Sequence, residues 1–315
     1  MALGELAALG DAVCWAGVGV TTKRLGSRVR PIHVSAFLTT VSGSALLVIA
    51  AATGQMDDIA RTPAWAFGLF AGGSVAGAAG MLLFFLTMSK GSVSATYTTT
   101  SGLYILFSMI GGVALLGDSA GPWTFAGAVA IVGGLYLLNA QPAAKDTPQA
   151  TGDGGATLTK RRRGVVAGPP GAFTVVFALA ALTSLLWAVD LVASARALKE
   201  SDLLTNGLVH QAVPAVLFGG FILASPKMRR VQIVEADRLR LALAGTLYIS
   251  STLSWSYALA NTSAGVTALL ASTSPVFALI LARLLLRERL ARPALLGAAL
   301  TFAGIVMVVT TRCPA

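Results

Sequence analysis

Two carboxyl groups inside long uncharged stretches are the first residues of this sequence that could do chemistry. Asp11 is followed four residues later by Trp15, and Asp190 is preceded three residues earlier by Trp187. Spacings of three or four place both members of a pair on one helix face. A carboxylate beside an aromatic wall suits a cationic or amphipathic solute, through charge pairing and ring-face attraction. Either carboxyl group could also take up a proton during a working cycle. A charge at a bilayer centre costs about 2.5–3.5 kcal/mol, so an intramembrane carboxyl is a functional candidate by default. For Asp11 the plainer alternative is an interfacial position or a local cap, and Asp190 stands near the end of its stretch. His210 could relay protons or simply hydrogen-bond a neighbouring helix.

Hydroxyls and aromatics extend this set. Eight of the ten residues Ser92 to Ser101 are polar, among them Tyr97 and Thr100, and a second hydroxyl-rich run, Ser250 to Tyr257, contains Trp255. Some of these hydroxyls bond back to their own helix. Polarity around a whole circumference fits a solvated cavity better than lipid, with Trp255, Tyr97 and Tyr104 as its lining. Pro275 cannot donate to the carbonyl one turn back, which gives a hinge or a bare acceptor beside Ser274.

The elements that must position these residues are membrane helices. The chain has 315 residues, 55% hydrophobic and only 11% charged; a soluble domain carries about 25% charged residues. Uncharged runs read at 6–22, 32–53, 64–88, 93–117, 122–140, 171–195, 203–224, 241–260, 264–286 and 293–311. About 20 residues at about 1.5 Å each span a hydrocarbon core of about 30 Å. These runs are too long and too continuously apolar for the alternating strands of a barrel. Of the 36 charged residues only Asp11, Asp190 and Arg283 fall inside them, and Arg283 is placed to snorkel.

The loops after the first, third, fifth, seventh and ninth runs hold 18 Lys and Arg, against 4 on the other side. Cytoplasmic loops carry the excess of basic residues, so both termini are expected outside. The polar stretch 141–170, with its Pro and Gly residues and Lys160 to Arg163, reads as a flexible basic linker. Its basic run could also meet anionic headgroups.

The chain repeats itself. A shift of 170 residues places Gly127 on Gly297, Gly134 on Gly304 and Asp118 on Glu288, and a shift of 172 places Trp15 on Trp187. Small residues let lipid-embedded helices approach closely; Gly68, Gly72, Gly73, Gly77 and Gly80 form such a stripe in the third run. An odd number of helices per half inverts the second half, and the loop charges follow that inversion. The expected fold is therefore an all-α integral membrane protein of ten transmembrane helices in two inverted five-helix repeats, residues 1–140 and 171–315. Inverted repeats recur in carriers, with the solute site at the midplane between them.

Ser274-Pro275-Val276-Phe277-Ala278, then Leu286-Arg287-Glu288-Arg289-Leu290, Leu296-Gly297-Ala298-Ala299-Leu300 and Gly304-Ile305-Val306 carry a resemblance. Leu103-Tyr104-Ile105 and Leu116-Gly117-Asp118 echo it in the first half. The set resembles the EamA domain of the drug/metabolite transporter superfamily. That resemblance implies a secondary carrier, often an exporter, for small metabolites or amphiphilic compounds, in the plasma (inner) membrane, with proton or ion coupling and a homodimer as further options. Two departures stand out. Ile105 replaces the family's proline, which removes a helix break from the first half. Trp15 stands where the short multidrug relatives carry a buried glutamate. The family is also usually drawn with cytoplasmic termini, against the charge count here.

Other classes fare worse. The net charge of +10 is scattered over short loops, so nucleic acid is not an expected partner. No His-Glu-x-x-His, zinc-type spacing or phosphate loop is present, so no catalytic residue, metal or cofactor is expected and the protein is not expected to be an enzyme. Cys14 and Cys313 lie far apart and form no metal spacing. A channel or structural scaffold remains the alternative to a carrier.

Overall fold

A helix buried in lipid must satisfy its own backbone, and the residues described in this chain's computed structural model are helical almost throughout. These are residues 3–23, 29–90, 93–119, 121–139, 170–229, 235–277, 280–281 and 292–310. They form α1 (Leu3–Lys23), α2 (Pro31–Ala52), α3 (Met56–Arg61), α4 (Ala64–Lys90), α5 (Val93–Gly111), α6 (Pro122–Asn139), α7 (Pro170–Ala197), α8 (Leu203–Ala224), α9 (Glu235–Asn261), α10 (Ala264–Ala271) and α11 (Arg292–Thr310). The described residues include no strand. The basic linker and Arg283 lie outside them.

Six helices among the described residues are long and apolar enough to cross a membrane, over Leu3–Thr22, Ile32–Ala52, Ala64–Phe84, Thr99–Leu116, Phe177–Ala197 and Leu203–Ala224. Three more apolar helical stretches, Pro122–Leu137, Ala264–Phe277 and Leu295–Thr310, are shorter. α9 has the length, at 27 residues, but opens with Glu235, Asp237, Arg238 and Arg240 and carries the second hydroxyl run. The short surface helix α3 was not anticipated from the sequence.

Local chemistry explains the helix ends. Asp202 caps α8, its carboxylate accepting from the Leu204 and Thr205 N–H groups at 2.8 Å each. α5 continues into a wider π-helical turn, Gly112–Leu116, closed by Gly117 at φ 71°. Only glycine enters that left-handed conformation without a steric penalty. The turn delivers Asp118 to the start of α10, where its Oδ2 accepts from the Ala264 N–H at 3.0 Å. A carboxylate of the first half thus caps a helix of the second. α5 runs through Ile105 unbroken, whereas the helix that starts at Ala264 breaks at Ser272–Thr273 and resumes before Pro275.

Helix packing follows the internal repeat. The most extensive contacts join α4 to α7, α1 to α9 and α6 to α11, followed by α5 to α7 and α2 to α8. Exchanging the halves maps α4–α7 onto α9–α1, and returns α2–α8 and α6–α11 to themselves. A Cβ placed on Gly127 would meet the Gly304 carbonyl at 2.9 Å, and one on Gly134 would meet the Gly297 carbonyl at 2.6 Å. The glycines matched by the shift of 170 therefore cross-pair, and α6 and α11 run antiparallel. α2 and α8 do the same, with Gly43 against Gln211 and Gly207 against Leu46.

The sequence stripe in α4 splits. Gly73, Gly77 and Gly80 face α7, but Cβ atoms on Gly68 and Gly72 would meet nothing within 4 Å. The first pair is therefore not part of this packing seam.

Two outcomes test these contacts. Asp118→Ala should cost about 1 kcal/mol, the usual loss for a cap, read as a lower thermal midpoint in detergent, while Glu200→Ala at an exposed site leaves the midpoint unchanged.

Candidate functional site

α7, α8 and α9 meet around a group of polar side chains that lipid could not solvate. Asp190 of α7 is 5% exposed. Its Oδ2 lies 3.6 Å from His210 Nδ1 on α8, an ion-pair distance just beyond hydrogen-bond length. The His210 ring stacks on Trp255 of α9, with centroids 4.7 Å apart and planes at 27°. Next to His210, Gln211 donates through Nε2 to Thr252 Oγ1 at 2.8 Å, and one turn earlier Asn206 donates through Nδ2 to Ser256 Oγ at 2.9 Å. Asp11 of α1 accepts from the Ser251 hydroxyl. Both Asp11 and Asp190 lie within electrostatic range of His210.

The seat of Asp190 is made by missing side chains. A Cβ on Gly73 would stand 2.9 Å from Asp190 Oδ1, and one on Gly77 would collide with Oδ2. The Trp187 indole N–H donates to the Gly77 carbonyl at 3.2 Å. A Cβ on Gly80 would press within 2.7 Å of the same indole. Trp187 also meets Tyr104 edge-on at 6.2 Å and Phe84 at 5.4 Å. The glycines of α4 are thus a cradle for the carboxylate and the indole as well as a packing seam.

The expected site residues divide as follows. Trp187, Asp190, His210, Trp255 and Tyr104 are joined by the contacts above. Asp11 is buried and accepts from Ser251 on α9, the helix that also carries Trp255. Thr100 is buried on α5, and its carbonyl accepts from Ser184 of α7 at 2.9 Å. Trp15 is 36% exposed, and its ring contact is with Tyr248 at 5.8 Å. Ser274 and Pro275 precede Val276, which belongs to the apolar core shared by α1, α5, α6, α9, α10 and α11. Tyr97 belongs to α5, but its side chain lies outside the described residues.

Sequence reasoning missed Asn206, Gln211 and Pro214. Asn206 and Gln211 are uncharged and look unremarkable within an apolar run, yet 0% and 1% of their surface is exposed. Pro214 sits inside α8 and has no N–H to return to the His210 carbonyl. The i, i+4 spacing of His210 and Pro214 was the available signal. No group of three or more His, Cys, Asp or Glu residues able to hold a metal occurs among the described residues.

Several polar atoms here are buried without a hydrogen-bond partner: Asp190 Oδ1, Asn206 Oδ1, His210 Nδ1 and Gln211 Oε1 at the centre, with Thr100 Oγ1 and Ser194 Oγ nearby. An unsatisfied buried polar group costs about 1–3 kcal/mol. A cluster of them between apolar helices leaves acceptors free for water or a solute.

Apolar helices in two like halves around a buried polar centre define a membrane transport protein. The chain belongs to the EamA-like transporter family, which it matches over residues 2–140 and 174–310. A crystal structure shares the fold at a TM-score of 0.73 and 18% identity, with 98% of this chain and 96% of that chain covered. No curated protein matches the sequence.

The cradle predicts a contrast between glycines of one helix. Gly77→Leu should destabilise the detergent-solubilised protein by about 1–3 kcal/mol through overpacking, seen as a lower thermal midpoint. Gly68→Leu, which opens onto free space, should leave the midpoint in place, and equal shifts for both would refute the cradle.

Proposed function

We propose that the protein is a secondary transporter, an exporter of small metabolites or amphiphilic compounds, working by alternating access. The observation that carries this reading is the set of unpartnered polar atoms around Asp190 and His210, buried where the two repeats meet. A scaffold gains nothing from such a centre, since apolar residues of the same shape would be more stable. The antiparallel, cross-paired contacts of α6 with α11 and α2 with α8 support two inverted five-helix halves and ten crossings. Such halves can rock against each other around a fixed site. The break at Ser272–Thr273 and Pro214 inside α8 supply points of bending.

In this reading Asp190, His210, Trp187 and Trp255 contact the solute. Asp11, Tyr104 and Thr100 complete the polar wall, and Trp15, Tyr97, Ser274 and Pro275 contribute from their own helices. Asp11, Asp190 and His210 are the groups available for proton coupling. The family reading favours the plasma membrane, and the excess of Lys and Arg on the linker side favours both termini outside.

A thermal-shift screen of purified protein against metabolites selects a solute, and proteoliposomes then test the mechanism. Flux should saturate and be stimulated by solute on the opposite side; ohmic single-channel currents would instead make the protein a channel. Asp190→Asn should lower the initial rate about tenfold to a hundredfold, the worth of a charged hydrogen bond, with insertion and thermal midpoint retained. Orientation is read in a cysteine-free background: Lys199→Cys should react with an impermeant maleimide on intact cells and Lys227→Cys should not. The reverse pattern places the termini inside.

A further inference from the structure

The unsatisfied groups at the centre are unbalanced in two respects. The first is hydrogen bonding. Asp190 Oδ1, Asn206 Oδ1 and Gln211 Oε1 are acceptors without partners. The orientation of Gln211 is settled by its neighbour: Thr252 spends its one hydroxyl hydrogen on the Tyr248 carbonyl at 3.0 Å, so it can only accept from Gln211. The Gln211 NH2 is thereby committed and its oxygen left over. Pro214 adds the His210 carbonyl, which lacks its helical donor. Against these oxygens the only partnerless ring nitrogen in the group is His210 Nδ1, and it faces Asp190.

The second imbalance is charge. Two carboxyl groups, Asp11 and Asp190, flank one imidazole, and no Lys or Arg among the described residues joins them in the interior. With both carboxyl groups ionised and His210 charged, one negative charge lacks a counterpart.

We infer that the site binds an organic ammonium group, with its N–H donors directed to Asp190 Oδ1 and the Gln211 and Asn206 side-chain oxygens and its carbon body against the rings of Trp187 and Trp255. A primary or secondary amine meets both shortfalls at once, since it brings donors and a positive charge. The aromatic faces favour the same class of ligand through cation–π attraction. This inference deepens the transport reading, on which it rests for what becomes of the ligand, but binding tests it without flux.

The test uses the purified full chain in detergent and four ligands sharing one phenylethyl body: 2-phenylethylamine, its N,N,N-trimethyl derivative, 2-phenylethanol and phenylacetate. Calorimetric titration at neutral pH should show saturable binding of the amine, at least about tenfold tighter than the alcohol. The trimethyl cation, which keeps the charge and loses the donors, should bind more weakly than the amine, and phenylacetate not measurably. Gln211→Leu should narrow the gap between amine and trimethyl cation, and Asp190→Asn the gap between amine and alcohol, both with unchanged thermal midpoints. The ligand series in the unaltered protein decides the matter should either variant misfold. Amine and alcohol binding alike, or phenylacetate binding best, overturns the inference. Amine binding without counterflow in proteoliposomes would sustain the site and end the carrier reading, while solute-stimulated counterflow without amine binding would do the reverse.

Discussion

A carboxylate that cannot reach water must be held by the protein around it, and the seat of Asp190 organises much of this molecule. α7 can bring that carboxylate to α8 only because α4 offers Gly73 and Gly77 where side chains would otherwise stand. The same absence lets Trp187 reach the Gly77 carbonyl. His210 meets Asp190 from the other side and is fixed in turn by stacking on Trp255. Four helices are thus tied to one side chain. A dry environment strengthens each of these contacts and raises the cost of any group left without one.

The two halves share a scaffold that obeys a different rule. Between helices in lipid there is little hydrophobic drive, so close approach of backbones supplies the attraction. Gly127 against Gly304 and Gly134 against Gly297 are one contact made twice, as a two-fold axis requires. Asp118 capping α10 belongs to the same scaffold, because it ties the end of one half to a helix start in the other.

Helix positions were largely legible in the sequence because lipid imposes length and apolarity together. The run 203–224 coincides with α8, and most others agree within a few residues. The exceptions have physical causes. The ninth run was read as continuous, since hydropathy does not register a two-residue break such as Ser272–Thr273. The eighth begins earlier, at Glu235, because charged residues at a membrane edge stay helical without being apolar. The site was half legible. Charge in an apolar run exposed Asp11 and Asp190, whereas Asn206 and Gln211 became visible only once burial was known, since an amide costs little in hydropathy until it is sealed from water. Gly68 and Gly72 show the converse: spacing finds small residues but not the face they occupy.

Comparison of the halves separates scaffold from chemistry. Where the shift of 172 residues aligns the first helix of each half, Asp11 falls on Thr183 and Asp190 on Val18. Thr183 turns its hydroxyl back to the Leu179 carbonyl, and Val18 packs with Leu38 and Ala244. The repeat therefore keeps its glycines in register and lets its carboxyl groups diverge. Packing across a two-fold axis demands like surfaces on both sides. Recognition of a solute without that symmetry demands the opposite, carboxyl groups at unmatched positions and an imidazole at the centre from one side only. The Asp190–His210–Trp255 assembly lies entirely within the second half, and the first half contributes the glycines that make room for it together with Asp11, Thr100 and Tyr104.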